Sequence, residues 1–229
     1  MKYKLSFIKS VALLILLVVI YLLFQKTFNF IDAECFLFLN KNLLNNKFSQ
    51  YFVGMLSHKN ESWINVVVMV AINILSILML NKASKNDSSK VHAIVLYCWL
   101  SFQIVLLINI LIFQKILHIH RDSPSIVIAG AIKLSEVLHN SNIKDYSNNS
   151  FPAGHALVLI YWALFVNFYA TRFFKIISVF LCIVLILPRM ITGAHWMSDT
   201  IFSLVLGWMY FNLSMWFANK YDQIKKRLY

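Results

Sequence analysis

The chain of 229 residues is poor in cysteine and in acidic residues, and each shortage excludes a class of protein. Of its 3 cysteines, Cys98 and Cys182 lie within apolar runs and Cys35 stands apart from both, so the sequence holds no disulfide framework. Aspartate and glutamate together number 9, which leaves few carboxylates for a metal site. The sequence also lacks internal repeats and low-complexity tracts. We therefore expect one domain over residues 1–229, with no metal ion and no cofactor.

Charged residues make up only 13% of the chain, whereas hydrophobic residues make up 60%. This composition is too apolar for a soluble domain of this length. A hydrocarbon core about 30 Å thick needs roughly 20 apolar residues per helix, and six runs are long enough or nearly so. They cover residues 8–24, 62–81, 91–113, 155–171, 176–190 and 198–218. The sequence therefore predicts an all-α, polytopic membrane protein with six transmembrane helices. The first run lacks a small-residue cleavage site, so we expect it to be retained as a span.

The net charge of +12 is concentrated where six spans would place it on one side of the membrane. The basic residues on that side are Lys2, Lys4, Lys9, Lys82, Lys85, Lys90, Arg172, Lys175, Lys220, Lys225, Lys226 and Arg227. By the positive-inside rule this side is the cytoplasm of a plasma or bacterial inner membrane, and both termini are expected there. Topology and anionic lipid headgroups account for the charge, so no nucleic-acid partner is expected. Residues 25–61, 114–154 and 189–197 then face outwards, towards the periplasm or the cell exterior.

Ionisable residues gather at three places on this outer face, where charge beside lipid is costly and therefore a sign of function. The three segments read QKILHIHRDSP (114–124), FPAGH (151–155) and PRMITGAHWMSD (188–199). In the last, the spacing of His195 and Asp199 places them on one helical face, where the carboxylate can accept a hydrogen bond from the imidazole. Taken alone, this cluster fits a structural pair equally well.

The other residues of these segments suit an anion. Arg189 would lie on another face of a continuous helix, but Gly193 offers a break that can bring it round. Gly154 lets an oxyanion approach the backbone where a helix begins, and His155 can protonate a leaving group, although a turn with an interfacial histidine fits the same residues. The first segment supplies donors suited to phosphate oxygens, and alone it also fits a basic loop at the headgroups. These donors are Lys115, His118, His120 and Arg121.

Together, the three segments resemble the type 2 phosphatidic acid phosphatase (PAP2) superfamily, whose pattern is K-x6-R-P, then P-S-G-H, then S-R-x5-H-x3-D. The second part corresponds to residues 152–155, the third to residues 188–199 and the first to residues 115–124. The order of the parts, their outward placement and the six-span layout all match. The resemblance therefore covers nearly the whole chain and implies a membrane fold with its active site at the outer face.

The resemblance also implies roles for individual residues. It implies that His195 is the nucleophile and that Asp199 is its partner. It implies that His155 protonates the leaving oxygen and that Arg189 holds the phosphoryl group. The reaction would need no metal, since phosphoryl transfer depends chiefly on positioning and on neutralisation of charge. It would pass through a phosphohistidine that water hydrolyses.

This sequence departs from the family pattern at three points. Ala153 replaces a serine, which removes one hydroxyl donor but leaves the backbone N–H groups of Ala153 and Gly154 to bind phosphate. Pro188 replaces the serine before the arginine, with little effect on charge. Lys115 and Arg121 are six residues apart instead of seven, and we expect both to bind phosphate, with Arg121 beyond the end of its helix.

The resemblance implies a phosphatase that acts on a phosphate carried by a membrane lipid. Lipid A, undecaprenyl diphosphate and phospholipid phosphates all fit, and the outer loops 25–61 and 125–150 are expected to choose between them. One alternative is a lipid phosphotransferase, in which a lipid or sugar hydroxyl replaces water as the acceptor. Another is a small transporter, which would distribute charges through its spans, whereas here they gather at one face. The expected partners are the lipid phosphate and the surrounding membrane lipids.

Overall fold

The computed structural model describes residues 2–59, 119–169 and 171–228, with residues 97, 100, 101, 104, 105, 107 and 110–116 between them. This part of the chain is helical, and no β-strand forms within it. Its helices are α1 (Lys2–Leu23), α2 (Gln25–Leu43), α3 (Lys47–Leu56), a π-helical segment (Ile110–Ile116), α4 (Pro124–Val127), α5 (Leu134–Val137), α6 (Gly154–Tyr169), α7 (Arg172–Ile191) and α8 (Met197–Leu228). The all-α prediction is confirmed over these residues.

Among the described helices, 3 are long and apolar enough to cross a membrane. They are Lys4–Leu23 within α1, Arg172–Ile191, which is α7, and Met197–Ala218 within α8; α6 contains a shorter apolar stretch, Gly154–Phe168. These helices correspond to four of the six predicted runs. The run 62–81 lies outside the described residues, and the run 91–113 lies mostly outside them. The chain is thus a membrane protein, and the number of six spans stays a prediction.

The first outer segment is helical where the sequence led us to expect a loop. Helices α2 and α3 occupy most of residues 25–56, and the Asn46 side chain caps α3 by accepting a hydrogen bond from the Ser49 N–H at 2.9 Å. In α2 the buried residues Asp32, Phe36 and Asn40 recur every four positions and so share one face. A search for apolar runs identifies helices that are apolar on every side. It misses a helix such as α2, whose buried face carries polar side chains.

The core forms around α6, which packs between α7 and α8, while α8 also packs against α1. Small residues of α6, such as Ala156 and Ala163, face Cys182 and Ile186 in a shared cluster with α7. On the α8 side the approach is close, since a Cβ on Gly207 would lie 3.0 Å from Ile160 Cγ2. Short connections join α6 to α7 and α7 to α8, so the chain passes back and forth with α6 between the other two. One end of this group therefore collects the start of α6, the end of α7 and the start of α8.

Candidate active site

The turn between α7 and α8 brings Arg189 and His195 together. Helix α7 ends at Ile191, and Gly193 continues the chain at φ 83°, a conformation that glycine adopts readily. The Arg189 carbonyl oxygen accepts hydrogen bonds from the N–H of Ala194 at 2.9 Å and of His195 at 3.2 Å. The helix break that the sequence offered at Gly193 is thus confirmed, and it folds the histidine back towards the arginine.

The protonation state of His195 follows from its hydrogen bond. Its Nδ1 lies 2.7 Å from the backbone carbonyl oxygen of Ser150, and because a carbonyl can only accept, Nδ1 carries the proton and Nε2 the lone pair. Burial lowers the pKa of His195 from 6.5 to about 4; the hydrogen bond to Ser150 opposes this, while Arg189 and Lys144 add to it. At neutral pH the ring is therefore uncharged, and Nε2 is a candidate nucleophile.

Asp199 does not hydrogen-bond His195 in the described part of the chain, so the predicted pairing of these two side chains is wrong. Asp199 Oδ1 accepts from Arg121 Nη1 at 2.6 Å, and Oδ2 accepts from the Trp196 backbone N–H at 3.0 Å. The spacing argument fails because α8 begins only at Met197. His195 lies in the turn before it, so the two residues do not share one continuous helix. Asp199 instead caps the first turn of α8.

Arg121 is held by carboxylates. Its Nη1 donates to Ser198 Oγ at 2.7 Å as well as to Asp199, and its Nη2 donates to Asp32 Oδ2 at 2.7 Å. Asp32 is 1% exposed and Asp199 is 0% exposed, so both pairs are shielded from solvent. Burial alone would lower the pKa of Arg121, but Asp199 and Asp32 outweigh it and raise the pKa above the usual value. Arg121 thus ties α2 to the start of α8 with its charge already balanced.

Arg121 also contacts the segment that holds His195. The Arg121 carbonyl oxygen accepts a hydrogen bond from the Ser150 N–H at 2.7 Å, and the carbonyl of the same Ser150 accepts from His195. The guanidinium carbon lies 5.0 Å from the centre of the Trp196 ring. Ser150 therefore connects the ion-pair cluster of Arg121, Asp32 and Asp199 with the histidines.

The start of α6 places His155 beside His195, with 5.1 Å between the ring centroids. His155 Nε2 is buried and has no hydrogen-bond partner in the described part of the chain. A Cβ on Gly154 would meet nothing within 4 Å, so the space in front of this residue is open. Ala153 is buried, and its carbonyl oxygen accepts from the Leu157 N–H at 2.9 Å. The first N–H groups of α6 have no intrahelical acceptor and are available to an anion next to both histidines.

Arg189 completes this group from the end of α7. Its side chain is 7% exposed, and its Nη2 donates to the backbone carbonyl oxygen of His58, just beyond α3. Its charge contributes to the lowered pKa of His195, so the guanidinium lies close enough to act on that imidazole. The structure thus brings together four of the residues that the sequence selected, namely His195, His155, Arg189 and Gly154, next to Ala153.

The remaining residues of the first motif do not join this group. Lys115 has an exposed side chain on the π-helical segment and makes no hydrogen bond or ion pair within the described residues. His120 is exposed, and His118 lies outside the described residues. Arg121 comes close to the site through the ion-pair cluster.

Four residues near the site were not selected from the sequence, namely Asp32, His58, Lys144 and Ser150. Asp32 carried a signal, because it lies with Glu34 in an apolar stretch of a chain that has few carboxylates. Lys144 and Ser150 lie in the polar segment just before the second motif, where loop composition gives no reason to prefer any one residue. His58 belongs to no pattern, since it acts through its backbone carbonyl.

These helices, with Arg189 and two adjacent imidazoles at one end of the group, define a helical membrane protein with a buried cluster of basic side chains. The chain belongs to the PAP2 superfamily, whose family model matches residues 93–222, as the motifs predicted. It is 26% identical to lipid A 1-diphosphate synthase of Escherichia coli K12 over 171 residues, which cover 75% of this chain and 69% of that protein.

A solved structure shares the fold. The crystal structure of a transmembrane PAP2-type phosphatidylglycerolphosphate phosphatase from Bacillus subtilis matches this chain with a TM-score of 0.58 and 17% identity. The match covers 93% of this chain and 96% of that one. The chain therefore has the fold of a membrane PAP2 protein.

Proposed function

We propose that this protein is a phosphatase that removes a phosphate from a membrane lipid through a phosphohistidine formed on His195. The observation that carries the proposal is the hydrogen bond from His195 Nδ1 to the Ser150 carbonyl oxygen. It leaves the Nε2 lone pair of a neutral imidazole beside His155 and Arg189. Membership of the PAP2 superfamily, a relative named for a lipid A product and the fold of a phospholipid phosphatase support a lipid phosphate as substrate.

The residues suggest a two-step reaction. His195 Nε2 attacks phosphorus and the bond to the leaving oxygen breaks, while His155 donates a proton to that oxygen. Water then attacks the phosphohistidine with His155 as the base, the P–N bond breaks and inorganic phosphate leaves. Arg189 and the N–H groups of Ala153 and Gly154 neutralise the charge on the equatorial oxygens. Asp199 acts by fixing the start of α8 next to His195.

We further propose that the reaction needs no metal ion. The carboxylates of Asp32 and Asp199 accept hydrogen bonds from Arg121, and one carboxylate oxygen of Asp145 accepts from the Ser135 N–H at 2.8 Å. Activity that survives EDTA treatment would support this mechanism, and a loss that magnesium or zinc restores would overturn it. The single domain of residues 1–229, the six spans and a site on the periplasmic or outer side belong to the same proposal.

A second candidate is transfer of the phosphoryl group to a lipid hydroxyl or phosphate. The Escherichia coli relative is named as a synthase of a lipid diphosphate, which favours an acceptor lipid in place of water. The site accommodates both reactions, since the phosphohistidine is common to them and only the second acceptor differs.

Purified protein in lipid vesicles would decide between these reactions. Substrates with a ³²P label on the outer phosphate, either an isoprenoid diphosphate or a phospholipid phosphate, are supplied with and without lipid A. Release of labelled inorganic phosphate without an acceptor supports hydrolysis, and label that appears only in lipid A supports transfer. An alkali-stable, acid-labile label on the parent protein but not on the His195→Ala variant supports the phosphohistidine. Lipid mass spectrometry of cells with and without the gene would then identify the natural substrate.

A further inference from the structure

We propose that Lys144 is a further phosphate-binding residue of this site and takes the place that the family pattern gives to the arginine of the first motif. The inference rests on the proposed function and deepens it, because it names a ligand of the phosphate that lies outside all three motif segments. It is carried by the position of the Lys144 backbone, by the surroundings of its ammonium group and by the ion pairs that occupy Arg121.

The backbone of Lys144 is fixed against the end of α7. Its N–H donates to the Ser57 carbonyl oxygen at 2.6 Å. Its own carbonyl oxygen accepts from Ser57 Oγ at 2.8 Å and from Thr192 Oγ1 at 3.0 Å. Thr192 lies three residues after Arg189 and three before His195, in the turn that brings those two together. Lys144 is therefore held beside this turn by three hydrogen bonds.

The ammonium group of Lys144 lies near the charges of Arg189 and Lys59. The side chain is partly buried, and it forms no hydrogen bond or ion pair within the described residues. The Oδ2 atom of the neighbouring Asp145 accepts a hydrogen bond from the Ser135 N–H at 2.8 Å. Burial lowers the pKa of Lys144; Arg189 and Lys59 act in the same direction, while Asp145 opposes them.

A partly buried cation next to like charges is unfavourable until an anion joins it. Lys144 also lowers the pKa of His195, so its charge lies close enough to act on the nucleophile. A phosphate at His195 would relieve the repulsion between Lys144 and Arg189. The cost of placing the Lys144 charge near other cations thus becomes affinity for the substrate.

Arg121 lies in the opposite situation. Its guanidinium is bound by two buried carboxylates, Asp32 and Asp199, so a phosphate that approached it would compete with partners already in place. Lys144 meets no such competition. The shortened spacing of the first motif and the use of a lysine from another segment thus have one explanation, because the arginine has become a structural link.

The test compares Lys144→Met, which keeps most of the side-chain stem and removes the charge, with Lys133→Met as a matched control. Lys133 lies in the same segment and forms an exposed ion pair with Glu136 at 3.4 Å. Orthovanadate, which can adopt the geometry of the transferring phosphoryl group, is the probe. Its dissociation constant is measured by isothermal titration calorimetry on purified protein, and phosphate release is measured in parallel.

We expect Lys144→Met to weaken vanadate binding and to lower kcat/KM by at least about tenfold, as for the loss of one charge-stabilising donor. Lys144→Arg should restore most of both quantities, and Lys133→Met should stay within about twofold of the parent. If Lys144→Met does not fold, as judged by size-exclusion chromatography, Lys144→Gln replaces it. A folded neutral variant that binds vanadate as tightly as the parent overturns the inference.

The same measurements separate this inference from the proposed function. A parent protein that releases no phosphate but binds vanadate in a manner dependent on Lys144 would support the anion site and overturn the phosphatase. A parent that releases phosphate with no contribution from Lys144 would overturn only the role of Lys144. A parent that neither binds vanadate nor releases phosphate would overturn both.

Discussion

Two cationic centres lie at the same end of the helix group, and they differ in what surrounds them. Around Arg121, two buried carboxylates balance the guanidinium. Around His195, a peptide carbonyl holds the imidazole, and the neighbouring charges of Arg189 and Lys144 are both positive. The first centre contains two carboxylates, whereas the second combines a buried imidazole with two neighbouring positive charges. The position of a basic residue in a motif therefore does not decide whether it binds substrate; the partners that the fold gives it do.

Removal of the nucleophile is the strongest test of the difference between the two centres. We expect His195→Ala to lower phosphate release by a factor on the order of 10⁴ or more, because no other group offers a lone pair at that position. Folding should be retained, since the variant loses one side-chain hydrogen bond, to Ser150. Phosphate release and the thermal unfolding of the detergent-solubilised protein are measured together. His139→Asn, a change at an exposed histidine outside the site, is the control, and near-parental turnover by His195→Ala would exclude the mechanism.

The second change tests the balanced centre. Arg121→Ala leaves Asp32 and Asp199 buried without their cation, and removal of one partner of a buried ion pair costs about 3–5 kcal/mol of unfolding free energy. Thermal unfolding measures this loss, and vanadate binding by the folded fraction should stay close to that of the parent. Lys133→Ala, which breaks an exposed ion pair, should cost no more than about 1 kcal/mol. A stable Arg121→Ala protein that binds vanadate weakly would instead make Arg121 a phosphate ligand, as the motif alone predicts.

A third change loosens the turn that assembles the second centre. Gly193→Ala combines a φ of 83° with a Cβ that would lie 2.8 Å from Cε2 of Phe36. The strain is on the order of 1–3 kcal/mol, and the shift it forces moves His195, so both stability and kcat should fall. Gly130→Ala is a close control, because its φ is 78° but a Cβ there would meet nothing within 4 Å. Equal effects of the two changes on kcat would contradict the role given to this turn.

The smallest expected effect is a displaced pH profile. Because burial lowers the pKa of His195 from 6.5 to about 4, its neutral form persists well below pH 6, and loss of the nucleophile limits kcat/KM only near pH 4. Between pH 6.5 and 4 the unfolded chain takes up a proton at this ring that the folded chain does not, so the stability of the fold decreases as the pH falls. Kinetic and unfolding profiles over this range test both signs. An acid limb near pH 6.5 that belongs to His195 would show that the ring is not buried in the working enzyme.

Local patterns predicted one part of this molecule well. The apolar runs correspond to α1, α6, α7 and α8, and the break at Gly193 brings His195 towards Arg189. These features depend on residues close together in the sequence, whose hydropathy and backbone freedom determine the local structure directly. The pairing of His195 with Asp199 also looked local, but it depended on where α8 begins. Because α8 begins after His195, the Asp199 carboxylate pairs with Arg121 and not with His195.

The parts that could not be predicted depend on contacts between distant segments. Asp32 accepts a hydrogen bond from Arg121, 89 positions away in the sequence. Thr192 donates to the Lys144 carbonyl oxygen, 48 positions away. Spacing rules describe residues on one helix and carry no information on such pairs. Helix α2 was missed for a related reason, since its buried face is recognisable only when α7 and α8 are present to cover it.

The peptide oxygen that orients His195 has a consequence for the lifetime of the proposed intermediate. With the phosphoryl group on Nε2 and the proton retained on Nδ1, the ring becomes a phosphoimidazolium cation. A carboxylate at Nδ1 would stabilise that cation by its charge, whereas the uncharged Ser150 carbonyl stabilises it by a dipole alone. We therefore expect rapid transfer of the phosphoryl group. The ³²P label should be lost from the protein within the dead time of manual mixing. Rapid-quench sampling can follow this loss. A label that persists for minutes at neutral pH would show that an anionic group stabilises the phosphoimidazolium cation.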